Sequence, residues 1–377
     1  MKFKDKKNFS ILIVLGTRPE AIKLCPLIIE FQNHKNIQTK VILTGQHIEM
    51  VSQVLDIFGV KEDFNLQIMK KKQSLGYITK SIIEGLEEYF LKNKPNLVIV
   101  QGDTTTAFAA ALISFYFGVK VAHVEAGLRT NNINNPFPEE VNRKMITQLA
   151  SFHFAPTKIA FENLISTKTL GVIKLTGNTV IDALMLIKNK FKYNENQSFR
   201  DSKKIIFASI HRRENWGKNI RNISYGIKEI ADKYTNVKII LPMHKNETVR
   251  KPIQDILNNH PRIELTEPLN YKDLVSTLID SYFVITDSGG IQEEAPALGK
   301  PVLVLRDSTE RPEGIEAGTA KLVGANTENI FNFASKLLEQ KTFYNEMARS
   351  INPYGDGQAS KRIVSVIFES FGLVYDF

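Results

Sequence analysis

Short runs of β-branched residues alternate with longer stretches of helical spacing along almost the whole chain, and this alternation limits the architecture more than any other property. Strands are predicted at residues 11–15, 40–43, 96–100, 119–124, 152–155 and 172–175, with helices at 19–32, 47–58, 77–91, 104–117 and 139–149 between them. Runs nearly continuous in apolar residues and separated by helices belong to parallel sheets covered on both faces. Residues 188–202 (KNKFKYNENQSFRDS) are polar and aperiodic and read as a linker or surface insertion. Beyond them the pattern restarts, with strands predicted at 203–209, 237–241, 262–265, 282–286 and 301–305.

The pattern predicts an α/β protein of two successive doubly wound parallel-sheet domains. A length of 377 residues suits two domains, each able to bury its own core. The expected divisions are 1–180 and 181–359, with a helix at the C-terminus, within residues 360–377, returning to the first domain. Such domains bind ligands in a cleft outside the carboxyl ends of their strands.

Several function classes find no support. The formal net charge is +9, from 49 Lys and Arg against 40 Asp and Glu, which can attract polyanions. Runs such as Lys70-Lys71-Lys72 read as solvated faces, and no nucleic-acid module is present. No apolar run approaches the roughly 20 residues needed to span a bilayer. The basic-then-apolar start is not read as a signal peptide, because its apolar core at residues 11–15 is short and Arg18-Pro19-Glu20 follows. Cys25 is the one cysteine, which excludes a disulfide framework and fits a reducing, cytoplasmic setting. Neither GxGxxG nor GxxxxGK[ST] occurs, and seven scattered histidines form no HExxH, so no NAD, P-loop nucleotide or metal is expected.

Ionisable residues follow the predicted strands closely. Gly16-Thr17-Arg18-Pro19-Glu20 marks a strand-to-helix junction whose free N–H groups suit an anion, with Arg18 and Lys23 adding charge; an exposed turn is the plainer alternative. Asp103 and Glu125 follow two strands, and if those strands are neighbours both carboxylates leave one sheet edge. Asp103 can equally be an N-cap for the helix after Thr104. His123, inside an apolar strand, reads as a satisfied core histidine. Residues 128–138 form a long loop, a candidate lid, before Glu139, whose plain role is to face a helix N-terminus. In the second half, His211-Arg212-Arg213-Glu214-Asn215-Trp216 gathers an imidazole, two guanidiniums and the single Trp. Asp287-Ser288-Gly289-Gly290 opens a helix carrying Glu293 and Glu294, where backbone N–H groups can hold a phosphate and a carboxylate can take a ribose. Arg311 follows a further strand.

Taken together, GTRPEAIK (16–23), QGDTTT (101–106), HVEAGLRT (123–130), PEEVNR (138–143), TGNTVIDAL (176–184), HRRENWG (211–217), DSGGIQEEAPALGKPVLVLR (287–306) and TERPEG (309–314) closely resemble the non-hydrolysing UDP-N-acetylglucosamine 2-epimerases, in order and over nearly the whole chain. The resemblance implies a GT-B-like fold of two Rossmann-like domains with the nucleotide sugar in the cleft. It implies reversible interconversion of UDP-GlcNAc and UDP-ManNAc without a dissociable cofactor. By similarity, Asp103, Glu125, Glu139 and His211 are catalytic and Arg18 and Lys23 bind substrate. Ser288, Gly289, Gly290 and Glu294 hold the UDP, with Arg311 near the diphosphate.

The C2 hydrogen of the sugar is not next to a carbonyl, so direct abstraction is slow. Departure of UDP from C1 with loss of the C2 proton gives 2-acetamidoglucal, and re-addition from the other face inverts C2. That route needs cations for the leaving diphosphate and carboxylates as acid and base. Relatives of this kind are often homodimers activated by UDP-GlcNAc at a second site; the corresponding residues here are Gln46, Glu49, Arg212 and His244. Ile48 and Lys72 depart from that pattern, standing where Arg is frequent. The competing readings are a hydrolysing epimerase that releases ManNAc, a 2-epimerase of another UDP-sugar, and a non-catalytic UDP-sugar sensor.

Overall fold

The computed structural model describes residues 9–45, 48–70, 73–130, 132–134, 136–191 and 203–374. The chain forms two compact units, Met1–Leu186 with Gly355–Phe377, and Ile187–Tyr354. The sequence pattern put these divisions at 180/181 and 359/360.

In the first unit, strands β1 (Phe9–Leu15), β2 (Ile37–Leu43), β3 (Phe64–Asn65), β4 (Leu97–Gln101), β5 (Lys120–Val124), β6 (Phe152–Ala155) and β7 (Val172–Leu175) make one sheet in the order β3-β2-β1-β4-β5-β6-β7. Every pairing is parallel. Between the strands run α1 (Arg18–Gln32), α2 (Ile48–Phe58), α3 (Leu75–Lys92), α4 (Thr105–Tyr116), α5 (Glu139–Leu149) and α6 (Lys158–Ser166), and α7 (Thr179–Lys190) follows β7. Parallel neighbours need a crossover, and the helices supply it. Leu12, Val14, Val98, Val100 and Val121 pack on one face against Ile82 and Leu86 of α3, Ala110 of α4 and Ile146 of α5.

The second unit repeats the scheme. Strands β8 (Lys204–Ser209), β9 (Val237–Pro242), β10 (Ile263–Thr266), β11 (Ser281–Thr286), β12 (Val302–Val304) and β13 (Ala320–Leu322) lie in the order β10-β9-β8-β11-β12-β13, again all parallel. Its helices are α8 (Lys218–Lys233), α9 (Glu247–Leu257), α10 (Tyr271–Asp280), α11 (Gly289–Ala297), α12 (Pro312–Glu316), α13 (Thr327–Glu339) and α14 (Lys341–Ala348). Alternate strand residues serve opposite faces, as strand geometry requires. Ile206, Ala208 and Ile285 pack with Ile223 and Ile227 of α8 and Ile253 of α9. Phe207 and Val284 pack with Leu278 of α10 and Ala295 of α11. The sheet is therefore covered by helices on both sides.

The last helix, α15 (Ala359–Phe371), packs on the first unit. Phe371 meets Phe9 at 4.7 Å between ring centroids, and Phe368 meets His34 edge-on at 4.8 Å. Asp182 of α7 receives the N–H groups of Ala359 at 3.2 Å and Ser360 at 2.7 Å, satisfying donors at the start of α15.

The expected strands and helices within the described residues are present, most with ends moved by one or two residues. β3 escapes the sequence pattern because two residues give no periodicity to read, and β13 because Lys321 interrupts its short apolar run. The predicted linker begins late: residues 188–190 still belong to α7, and 192–202 lie outside the described residues. No described helix is long and apolar enough to cross a membrane.

Candidate active site

In the first unit the site candidates gather where strands end. β4 and β5 are parallel neighbours with Gln101 opposite Val124, so Asp103 and Glu125 leave the same sheet edge. Glu125 is nearly buried and has φ of 64°, a left-handed conformation that a non-glycine residue adopts at a cost. Three side chains hold it there. Lys23 Nζ lies 2.5 Å from Oε1, Asn178 Nδ2 donates to Oε1 at 3.1 Å, and Gln101 Nε2 donates to Oε2. A carboxylate given a cation and two amide donors is fixed in position and kept as an acceptor.

Asp103 is not the N-cap. That place belongs to Thr104, whose side chain accepts from Ala107 N at 3.0 Å. The Asp103 carboxylate is instead gripped at Oδ2 by Arg143, with Nε at 2.8 Å and Nη2 at 2.6 Å. Asn142 Nδ2 holds the Asp103 carbonyl at 2.9 Å. Both partners lie on α5 within the PEEVNR segment, so one helix start presents Glu139 and clamps Asp103. Glu139 begins α5, and its Oε2 is shut away from solvent without a hydrogen-bond partner among the described residues. A buried, unpartnered carboxylate oxygen is costly unless a ligand or proton completes it.

The anion site expected at Gly16-Thr17 is filled by the chain itself. Glu20 Oε2 accepts from Gly16 N at 3.0 Å, Thr17 N at 2.7 Å and Thr17 Oγ1 at 2.8 Å, and Oε1 meets Thr104 Oγ1 at 2.6 Å. Burial pushes the Glu20 carboxyl above its usual range despite these hydrogen bonds. Arg18 is half-buried at the start of α1, and Lys23 sits one turn on, committed to Glu125. His123 is a core histidine whose Nε2 meets Gly102 O at 2.7 Å, and burial lowers its pKa to about 3. Glu49 is exposed in the first turn of α2; Gln46 and Lys72 lie outside the described residues.

In the second unit β8 and β11 pair with Ser209 opposite Thr286, bringing the segments after them together. Asp287 is fully buried and collects His211 N, Arg212 N at 2.9 Å and Asn215 Nδ2 at 2.9 Å, with His211 Nδ1 3.0 Å from Oδ1. Burial pushes the Asp287 carboxyl up, but these hydrogen bonds prevail and hold it below the usual range. Ser288 is the N-cap of α11 and makes no side-chain cap, leaving Gly289 and Gly290 at the helix start. Glu294 accepts from Tyr271 OH at 2.8 Å.

Arg311 Nε donates to Glu293 Oε1. Arg212 Nη2 reaches Glu310 at 3.0 Å, and Arg306 bridges Glu310 and Glu214, the latter at 2.5 Å. Burial pushes the Glu310 carboxyl up, yet the three arginines overcome it and bring its pKa to about 2. His244 is exposed beyond β9, its Nδ1 accepting from Asn246 N at 3.1 Å.

Sequence reasoning missed Glu20, Gln101, Asn142, Arg143, Asn178, Asp287 and Glu310 as parts of these constellations. Each lies inside a segment already singled out, so the signal was position within a motif rather than residue chemistry. Among the described residues, no group of three or more His, Cys, Asp or Glu is placed to hold a metal ion.

The family model for UDP-N-acetylglucosamine 2-epimerase matches residues 29–368. The UDP-N-acetylglucosamine 2-epimerase of Neisseria meningitidis serogroup A is 48% identical over 369 residues, covering 96% of this chain and 99% of that protein. The Bacillus subtilis enzyme of the same name is 45% identical over 368 residues, covering 97% of each. The crystal structure of the Neisseria meningitidis UDP-GlcNAc 2-epimerase bound to UDP-GlcNAc superposes with a TM-score of 0.88, covering 96% of this chain and 100% of that one. Two α/β units on parallel sheets are consistent with the GT-B-like fold. With identity at this level sustained over nearly the full length of its relatives, the chain belongs to the non-hydrolysing UDP-N-acetylglucosamine 2-epimerase family.

Proposed function

We propose that this protein is an isomerase that reversibly interconverts UDP-GlcNAc and UDP-ManNAc by inversion at C2. The observation that carries this reading is the near full-length identity of 48% to a UDP-N-acetylglucosamine 2-epimerase. In this reading each unit is a Rossmann-like doubly wound domain. The C1–O bond breaks with its electron pair going to the diphosphate, and a base removes the C2 proton, leaving 2-acetamidoglucal and UDP. Addition of UDP at C1 and a proton at the other face of C2 completes the inversion.

The chain's own residues divide that work. Arg18, Lys23, His211 and Arg311 offset the charge of the leaving diphosphate, and Asp103, Glu125 and Glu139 supply acid–base and positioning groups. The Oε2 of Glu139, buried without a hydrogen-bond partner among the described residues, leaves an oxygen free to meet the sugar. Ser288, Gly289 and Gly290 hold phosphate at the start of α11, where the helix leaves N–H groups and the positive end of its dipole, and Glu294 takes the ribose hydroxyls. Gln46, Glu49, Arg212 and His244 form a second, activating UDP-GlcNAc site. The protein is a cytoplasmic homodimer that supplies ManNAc units for surface polysaccharide.

The test is proton NMR of the purified protein with UDP-GlcNAc in deuterated buffer, without NAD or metal. UDP-ManNAc at equilibrium, with deuterium at C2 of both sugars, is expected. Free ManNAc with stoichiometric UDP would mean hydrolysis, and binding without turnover would mean a sensor or another substrate.

A further inference from the structure

We propose that Asp287 is the positioning residue that fixes the tautomer and orientation of His211, an inference that rests on reading His211 as a group that meets the leaving diphosphate. The two residues come from neighbouring strands, His211 two residues beyond β8 and Asp287 directly after β11, so sheet register sets their pairing.

Asp287 Oδ1 lies 3.0 Å from His211 Nδ1, and the carboxylate also receives His211 N at 3.0 Å, Arg212 N at 2.9 Å and Asn215 Nδ2 at 2.9 Å. Asn215 is itself anchored to Leu305 O at 3.1 Å. The Asp287 side chain is fully buried, while that of His211 is 41% exposed. A rigid interior anion thus holds one edge of a ring whose body reaches solvent.

An ionised carboxylate only accepts, so at this 3.0 Å ion-pair distance a hydrogen on Nδ1 is favoured over a lone pair there. Nε2 is then the ring nitrogen that exchanges its proton. That division matters for a reversible reaction. With hydrogen on Nε2, the ring donates to a departing phosphate oxygen. Without it, Nε2 accepts the proton back when UDP re-adds, and no ring rotation is needed between directions. The opposite neutral tautomer would present a donor on Nε2 and direct a lone pair at Asp287, an anion-to-lone-pair contact that the low dielectric of the site makes unfavourable.

The experiment uses the full-length protein with 15N-labelled histidine. Long-range proton–nitrogen spectra report which ring nitrogen carries hydrogen, and comparison with H211Q identifies the His211 signals. Wild type is expected to show His211 with hydrogen on Nδ1, and D287N to show a mixture of tautomers. Turnover of D287N is expected to fall about 10- to 100-fold in kcat, with KM changing far less. A wild-type His211 with hydrogen on Nε2 and none on Nδ1 would overturn the proposal, and that readout needs no variant to fold. D287N that keeps both the Nδ1–H signature and full kcat would overturn it too. Full turnover in H211Q, with the Nδ1–H tautomer intact in wild type, would instead remove His211 from the catalytic reading and leave the Asp287 contact as structure alone.

Discussion

Two glycine-containing turns each lead from an inner strand of a sheet into a helix, one after β1 and one after β11, and the chain finishes them in opposite ways. After β1, Glu20 folds back onto Gly16 N and Thr17 N and ties them to Thr104, so the helix start is satisfied internally. After β11, Ser288 makes no side-chain cap on α11, and the nearby carboxylates are drawn elsewhere: Glu294 to Tyr271, Glu293 to Arg311. A helix N-terminus offers unsatisfied N–H groups and a partial positive charge wherever it occurs. Whether that offer reaches a ligand depends on whether a side chain of the protein accepts it first. The turn after β1 is therefore a joint that carries Arg18 and Lys23, and the turn after β11 is the one that takes phosphate in the proposed function.

The largest expected effect lies in the closed turn. E20A leaves Gly16 N, Thr17 N and the hydroxyls of Thr17 and Thr104 without their common acceptor in a buried place. The cost should be about 3–5 kcal/mol in urea unfolding, since several buried donors and a cavity are created together. E20Q should cost about 1 kcal/mol or less. Its amide oxygen can take the three donors now on Oε2, and its NH2 can donate to Thr104 Oγ1. Equal losses for the two variants would show that negative charge, rather than the acceptor geometry, closes this turn.

The same comparison explains what the sequence could and could not tell. Strand and helix order were legible because long apolar periodicities survive any detail of packing. β3 and β13 were not, because so short a strand is defined by its neighbour. The PEEVNR, QGDTTT and DSGG segments were legible as places, but their internal division of labour was not. Arg143 grips Asp103 from 40 residues away, and Asp287 holds His211 from 76 away. Such partners are set by strand order in the folded sheet. The free N–H groups predicted after β1 failed for a local reason: Glu20, three residues beyond Thr17, completes a capping box there.

Acid titration separates the two regions by sign. The Glu310 carboxyl titrates near 4.5 when unfolded and near 2 when folded. Between those values the unfolded state binds more protons, so acid removes stability that is fully present above about pH 5. The contribution is about 3 kcal/mol by the size of the shift. Glu20 behaves oppositely: its folded pKa is raised, so its ionisation opposes folding and acid relieves that cost. The stability gap between wild type and E310Q should therefore shrink from pH 6 to pH 2.5, while wild type gains on E20Q over the acidic range. Gaps that stay constant with pH in both pairs would refute the contrast.

The smallest effects come from adding one methyl group to each turn. At Gly16 a Cβ would fall 2.4 Å from both Thr106 Oγ1 and Thr44 Oγ1, hydroxyls locked in the buried interior. G16A should therefore destabilise the fold by about 1–3 kcal/mol, the usual penalty for overpacking. At Gly289 a Cβ would meet Glu310 Oε1 at 3.2 Å and Arg212 Nη2 at 3.5 Å, both the far ends of flexible side chains. G289A should leave unfolding within about 0.5 kcal/mol of wild type. The new methyl would stand where backbone must approach a phosphate, so the Kd for UDP by calorimetry should rise about tenfold, or ~1.4 kcal/mol. The pairing is what makes the result decisive: a closed turn should answer in stability and an open one in affinity. If G289A lowers stability as much as G16A while UDP binds unchanged, the turn after β11 is another structural joint and the phosphate must be held elsewhere.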